Sequence, residues 1–243
     1  MTSEPTEPLF LPSGDSALVV EFGTAIAPEI NARVLALDAA LGRHRIPGLV
    51  ETVPTYRSLM VQFDPLLFDI SAFTALAREL SAGLDAVAAA GRRWKVPVIY
   101  GGPFGIDLEA TAERHKLTPA QLIERHSSAV YRVYMIGFMP GFVYLGGLDP
   151  ALATPRRLDP RPTSPAGTIS IGGIQALIAG AAMPSGWHLL GRTPVRTFMP
   201  GRDPAFLIAA GDEVVFAPTD AARWDALDRA AANGEPVAEV IAA

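Results

Sequence analysis

Three arginines and four prolines share the segment Thr154-Pro-Arg-Arg-Leu-Asp-Pro-Arg-Pro-Thr-Ser-Pro-Ala-Gly167. A stiff loop of this kind pre-organises planar guanidinium forks for a carboxylate, or for a carbonyl that develops negative charge. Arg156 is therefore a candidate catalytic group, although a rigid, solvated crossover would have the same composition. Pro184-Ser-Gly-Trp-His188 followed by Gly191-Arg-Thr-Pro194 can set Trp187, Arg192 and Thr193 around one rim. Arg192 is the second cationic candidate, and Trp187 and Thr193 are candidate binding residues. His126 stands at a helix end a few residues before a strand, where it can serve acid–base or hydrogen-bonding chemistry or simply answer the helix dipole. His188 fits a satisfied strand histidine. Gln175 can pair with a planar amide or ureido group if it faces a barrel lumen, and carries no meaning if it faces outward.

A second group lies in Met135-Ile-Gly-Phe-Met-Pro-Gly-Phe-Val-Tyr-Leu-Gly-Gly147. Pro140 and Gly141 make a tight turn, which brings Phe138, Phe142 and Tyr144 close together. Those aromatics form either a buried packing corner or the floor of a ligand pocket. The stretch is not a phosphate loop, because no lysine follows it and no helix opens after it. No Gly-Lys dipeptide, G-x-G-x-x-G run, G-x-S-x-G elbow, H-x-x-x-H pair or Met-Lys-Met biotin signal occurs anywhere, and there is no cysteine. These absences leave no metal site and no self-sufficient nucleotide or biotin site to expect.

The elements that must position these groups read in two blocks. From residue 1 to 91 the order is strand, helix, strand, strand, helix, an α+β sandwich. Strands are expected at Ala17–Phe22, Leu49–Val53 and Tyr56–Phe63. One helix starts near Pro28 and stops at Gly42. A second is capped by Ser71, runs through Val87 and closes at Gly91. Arg92-Arg-Trp-Lys95 reads as a charged break, so a second domain is expected over 92–243. There a strand at Val96–Tyr100 precedes helices at Asp107–Lys116 and from Thr118-Pro-Ala-Gln121, a capping-box pattern. Short β-rich runs follow at Tyr131–Phe138, Thr168–Ile171, Ile174–Ile178, His188–Leu190, Ala205–Ala209 and Glu213–Ala217, a mainly β barrel or sandwich closed by a helix at Ala222–Ala232.

Composition narrows the function. Hydrophobic residues make up 49% and charged residues 19% of the 243, which suits packed domains. The net charge is −5 and the only lysines are Lys95 and Lys116, so no nucleic-acid footprint is expected. The N-terminal ten residues have no leader character and no stretch is long and apolar enough for a bilayer, so a cytoplasmic protein without membrane contact is expected.

Taken together, several stretches resemble one family. Ile46-Pro-Gly48, Pro54-Thr-Tyr-Arg-Ser-Leu59, Val96-Pro-Val-Ile-Tyr-Gly-Gly102, Asp107-Leu-Glu109, His126-Ser127, Gly137-Phe-Met-Pro-Gly-Phe-Val-Tyr-Leu145, Pro155-Arg156, Pro160-Arg161, Pro165-Ala-Gly167, Gly186-Trp187 and Gly191-Arg-Thr-Pro194 occur in the family's order. The pattern is that of the 5-oxoprolinase B subunit, whose family is also called KipI-like or allophanate hydrolase subunit 1. The resemblance implies a cyclophilin-like barrel behind the N-terminal sandwich. It also implies an amide-hydrolase component, inactive alone, working with an A-type partner and a cyclophilin-like C-type partner. That assembly opens a lactam, 5-oxoproline, to glutamate with ATP held by a partner. Relatives imply two alternatives, a carboxyltransferase half using carboxybiotin on an amide or urea and a non-catalytic histidine-kinase inhibitor. Where the family usually has Gln-Thr-Gly and Ile-Tyr-Pro, this chain has Gln175-Ala-Leu177 and Ile178-Ala-Gly180; Pro103 replaces a common Glu, and Ser185 a common Gly.

Overall fold

The computed structural model describes residues 7–83 and 91–242. The chain forms two compact units, 1–89 and 90–243.

In the first unit the strands are β1 (Leu9–Pro12), β2 (Ala17–Glu21), β3 (Leu49–Pro54) and β4 (Ser58–Phe63), and the helices are α1 (Pro28–Leu41) and α2 (Ile70–Ala82). The antiparallel sheet has the order β1-β2-β4-β3. Alternation in β4 sends Leu59, Val61 and Phe63 into the core, where they meet Ile30, Val34, Leu37 and Leu41 of α1 and Phe73 and Ala77 of α2. The Phe63 and Phe68 rings stack 4.4 Å apart. The cap of α2 is Asp69 rather than Ser71: its extended backbone lets the carboxylate accept from the Ser71 and Ala72 amides. The helix ends at Gly83, and the expected continuation through Val87 lies outside the described residues.

The second unit contains β5 (Arg93–Tyr100), α3 (Leu108–Arg114), α4 (Pro119–Ser128), β6 (Val130–Ile136), β7 (Val143–Gly146), β8 (Arg161–Ser164), β9 (Thr168–Gly172), β10 (Gln175–Ile178), β11 (Met183–Ser185), β12 (His188–Arg192), β13 (Glu213–Pro218), α5 (Trp224–Ala232) and β14 (Glu239–Ile241). Seven strands, ordered β12-β9-β10-β7-β6-β13-β5, close into a barrel through a β5–β12 pairing, and β14 lies beside the first half of β5. All neighbours are antiparallel except β13 and β5, so the barrel is mixed. β8 and β11 form a separate two-stranded ribbon.

Arg93-Trp-Lys95 belongs to β5 and is not a break. Trp94 turns into the core and donates to Asp212 at 2.8 Å, while Arg93 and Lys95 pair with Glu213 and Glu239 on the neighbouring strands. The run Ala205–Ala209 is not a strand. It makes a single isolated antiparallel bridge, Phe206 opposite Phe198, in which the Met199 amide donates to the Ala205 carbonyl and the Leu207 amide to the Thr197 carbonyl. The Arg202 guanidinium braces that bridge by donating to the carbonyls of Arg196, Thr197, Pro204 and Ala205. α4 has the expected capping box, with Thr118 and Gln121 bonded reciprocally. Among the described residues no helix is long and apolar enough to cross a membrane.

Candidate functional site

The barrel strands split their side chains by parity. Val143 and Leu145 of β7, Ile169 and Ile171 of β9, and Ala176 and Ile178 of β10 fill the barrel core. Their alternates, Tyr144, Thr168, Ser170, Gln175 and Leu177, line the opposite face, with Phe142 and Ala179 at the strand ends. Gln175 thus faces outward, yet it lines a cavity, because the β8–β11 ribbon and Trp187 stand over this face and enclose about 380 Å³.

Gly172 makes the cover possible. A Cβ at that position would lie 2.7 Å from the Trp187 ring, so only a bare backbone lets the indole approach β9. Trp187 meets Tyr144 edge-on at 6.3 Å. At the β6–β7 turn, Gly141 has φ +75° and a Cβ there would meet Phe198 at 2.6 Å, while its carbonyl accepts from Thr197 at 2.6 Å. Phe138 also has a positive φ, +71°, unusual for a bulky residue, and presents its ring edge-on to Phe142 with 71% exposure at the mouth.

The arginine loop is pinned on both sides of Arg156. His115 Nε2 meets Thr154 Oγ1 at 2.8 Å, and His188 Nε2 meets the Pro155 carbonyl at 2.9 Å. Downstream, Asp107 pairs with Arg157 at 3.7 Å and with Arg161, and also accepts from the Leu189 amide at 2.8 Å. Arg156 itself lines the cavity. Burial raises the Tyr144 phenol, with Arg156 beside it pulling the other way, so the hydroxyl stays protonated at neutral pH.

The cavity therefore brings together Phe138, Phe142, Tyr144, Arg156, Gln175 and Trp187. His126, Arg192 and Thr193 lie elsewhere. His126 is fully buried, its Nδ1 bonded to Tyr100 at 2.8 Å and its ring stacked on Phe216 at 5.0 Å. That burial lowers its pKa to about 3 and keeps it neutral. Arg192 stacks over Trp224, 4.7 Å from the ring centre, and donates to the Ala166 carbonyl. Thr193 is fully buried and accepts from the Val195 amide. Sequence reasoning missed Ser164, Thr168, Ser170 and Met183; alternation along β9 could have found Thr168 and Ser170.

A second cavity of about 380 Å³ lies against Trp94, Val195, Met199 and Leu207. Its arginines are committed elsewhere, Arg196 to Asp228 and Arg202 to backbone carbonyls. The second adds a single further charged group, Glu235, whereas Tyr144, Arg156, Ser170 and Gln175 converge on the first. No group of acidic, histidine or cysteine side chains fit to hold a metal occurs among the described residues.

Residues 8–208 match the family described as carboxyltransferase domain, subdomain C and D. The chain is 38% identical to the 5-oxoprolinase B subunit of Bacillus subtilis (strain 168), over 84% of this chain and 89% of that protein. It is 42% identical to the 5-oxoprolinase B subunit of Haemophilus influenzae (strain ATCC 51907 / DSM 11121 / KW20 / Rd), over 85% and 95% respectively. Among solved structures, TTHA0988 shares 36% identity at a TM-score of 0.75 over 84% of this chain, which spans 40% of that chain's length. Kluyveromyces lactis urea carboxylase shares the fold alone, at 20% identity and a TM-score of 0.81, covering 96% of this chain and 24% of that one.

Proposed function

The chain belongs to the carboxyltransferase-domain family, subdomain C and D, and from that premise we propose that it is a subunit of a heteromeric, ATP-dependent 5-oxoprolinase. The observation that carries the reading is its similarity, at 36–42% identity over most of the chain, to the 5-oxoprolinase B subunits of three bacteria. The link to urea carboxylase rests on fold alone, so the carboxybiotin reading has less behind it, as does kinase inhibition.

The reaction adds water across the lactam C–N bond of 5-oxoproline, giving the carboxylate and amine of glutamate, with ATP hydrolysis driving the ring open. In this reading the cavity binds and orients the ring. Arg156 at the mouth holds the carboxylate, Gln175 pairs with the amide, and Tyr144, Phe142 and Trp187 shield the ring faces from water. Because this chain carries no Gly-Lys phosphate loop, we place the nucleotide on a partner protein. We further infer that the chain is inactive alone and acts with two partners, one of the A type and a barrel of the C type.

Co-expression with those two partners, followed by 5-oxoproline-dependent ADP release, tests the assignment. Activity that needs all three chains supports it. Activity unchanged when this chain is omitted refutes it.

A further inference from the structure

Ser164 ends β8 and forms part of the cavity wall. The residue is 2% exposed, and its hydroxyl has no hydrogen-bond partner among the described residues. Its neighbour Thr168 differs: that hydroxyl donates to the Pro165 carbonyl at 2.7 Å. A buried hydroxyl without a partner is unfavourable, so its persistence in a cavity wall asks for an explanation.

Ser164 is also held in place. Pro165 follows it, Met183 pairs with it across the ribbon, and Arg161 at the other end of β8 is tied to Asp107. The ribbon holds the backbone of this residue against the cavity, so rotation about χ1 alone redirects its hydroxyl. Around it the cavity is amphipathic: aromatic rings form the walls, Ser170 and Gln175 add neutral polar groups, and the cationic Arg156 lies towards solvent. A ligand's charge is drawn to the arginine, which leaves a neutral polar edge for the buried end. A hydroxyl suits that edge, since it can donate to a carbonyl or accept from an N–H.

We propose that Ser164 is a ligand-binding, specificity-determining residue whose hydroxyl hydrogen-bonds the amide edge of a five-membered lactam with its carboxylate at Arg156. This inference rests on the 5-oxoprolinase reading and deepens it. Ser164 reads the amide, so a ring of the same shape without one loses its partner.

The test compares 5-oxoproline with cyclopentanecarboxylate, which keeps the ring and carboxylate but lacks the amide, on the reconstituted complex. Binding of each is measured directly, by calorimetry or ligand-observed NMR, with turnover followed in parallel. The wild type should bind the lactam more tightly than the carbocycle, and Ser164→Ala should shrink that preference about tenfold, the usual worth of one hydrogen bond, leaving the share that Gln175 contributes. Thermal melting of Ser164→Ala should be unchanged or higher, because an unsatisfied buried hydroxyl is removed. Ser81→Ala, which deletes another partnerless buried hydroxyl, in α2 of the first unit, should leave ligand discrimination intact. Binding of neither ring, equal binding of both, or discrimination undiminished by Ser164→Ala overturns the inference. A complex that selects the lactam through Ser164 yet never opens it leaves the inference standing and removes the proposed activity.

Discussion

Acidification should destabilise the second unit through His126. The imidazole is fully buried against Phe216, Tyr131 and Tyr100, with no charged side chain among these ring contacts, and burial lowers its pKa from 6.5 to about 3. A depressed histidine stays neutral when folded but takes a proton when unfolded. Its contribution to stability is therefore complete above 6.5 and is lost as pH falls from there towards 3. Each pH unit in that window removes about 1.4 kcal/mol, so reaching pH 5 costs roughly 2 kcal/mol. For a unit of this size that is a drop of about 4–8 °C in melting temperature. His115, lowered mainly by its own burial, pulls in the same direction, so wild type should be compared with His126→Phe, which keeps the ring stack and leaves His115 in place. Urea or thermal unfolding between about pH 7.5 and pH 5 should show the wild type losing roughly 2 kcal/mol more than the variant. Equal losses in the two proteins would refute the claim that a neutral His126 is built into the core.

Other expectations follow from the cavity and its supports. Arg156→Ala should raise the KM for 5-oxoproline about 10- to 100-fold in the reconstituted complex, the worth of a charge-assisted hydrogen bond. Arg192→Ala, whose head already serves the Ala166 carbonyl, should lower thermal stability more than it raises KM. Asp107→Asn keeps an acceptor for Leu189 but removes the charge facing Arg157 and Arg161; urea unfolding should show a loss of about 3 kcal/mol, as for a broken buried ion pair. Gly172→Ala puts a methyl 2.7 Å from the Trp187 ring; it should displace the indole, destabilise by about 1–3 kcal/mol and raise KM.

Local signals in the sequence reached most of the fold, and six of the nine residues they singled out line one cavity. Capping chemistry at Thr118 and Gln121, proline at the start of α1 and alternation in β4 are short-range rules, and each held in the structure. The failures came where a distant partner decides. Arg93-Trp-Lys95 looked like a charged break because its alternation had only one apolar member, and its ion-pair partners lie on β13 and β14, more than a hundred residues away. Ala205–Ala209 had strand composition, but it meets its partner at a single bridge, Phe206 opposite Phe198, and joins none of the described sheets. His126 was placed near the pocket by chain distance, whereas the turn of α4 aims it into the core. Ser164 gave no signal at all, since a serine between prolines in a loop-like stretch has no periodicity to mark its face.

Parity along β7, β9 and β10 divides responsibility between two sets of residues. One set fills the barrel core, and the other packs into a smaller cluster that shapes a hollow on its outside. Ligand preference can therefore drift while the folding problem stays solved. Two of this chain's departures from its family's usual pattern, Leu177 and Ala179, fall on the hollow's side. A larger apolar side chain at one position and a smaller one at the other remodel the chamber's contour within a small cluster they share with Phe142, apart from the main barrel core. The barrel behaves as a fixed chassis with an exchangeable face, and closely similar folds can bind different molecules there.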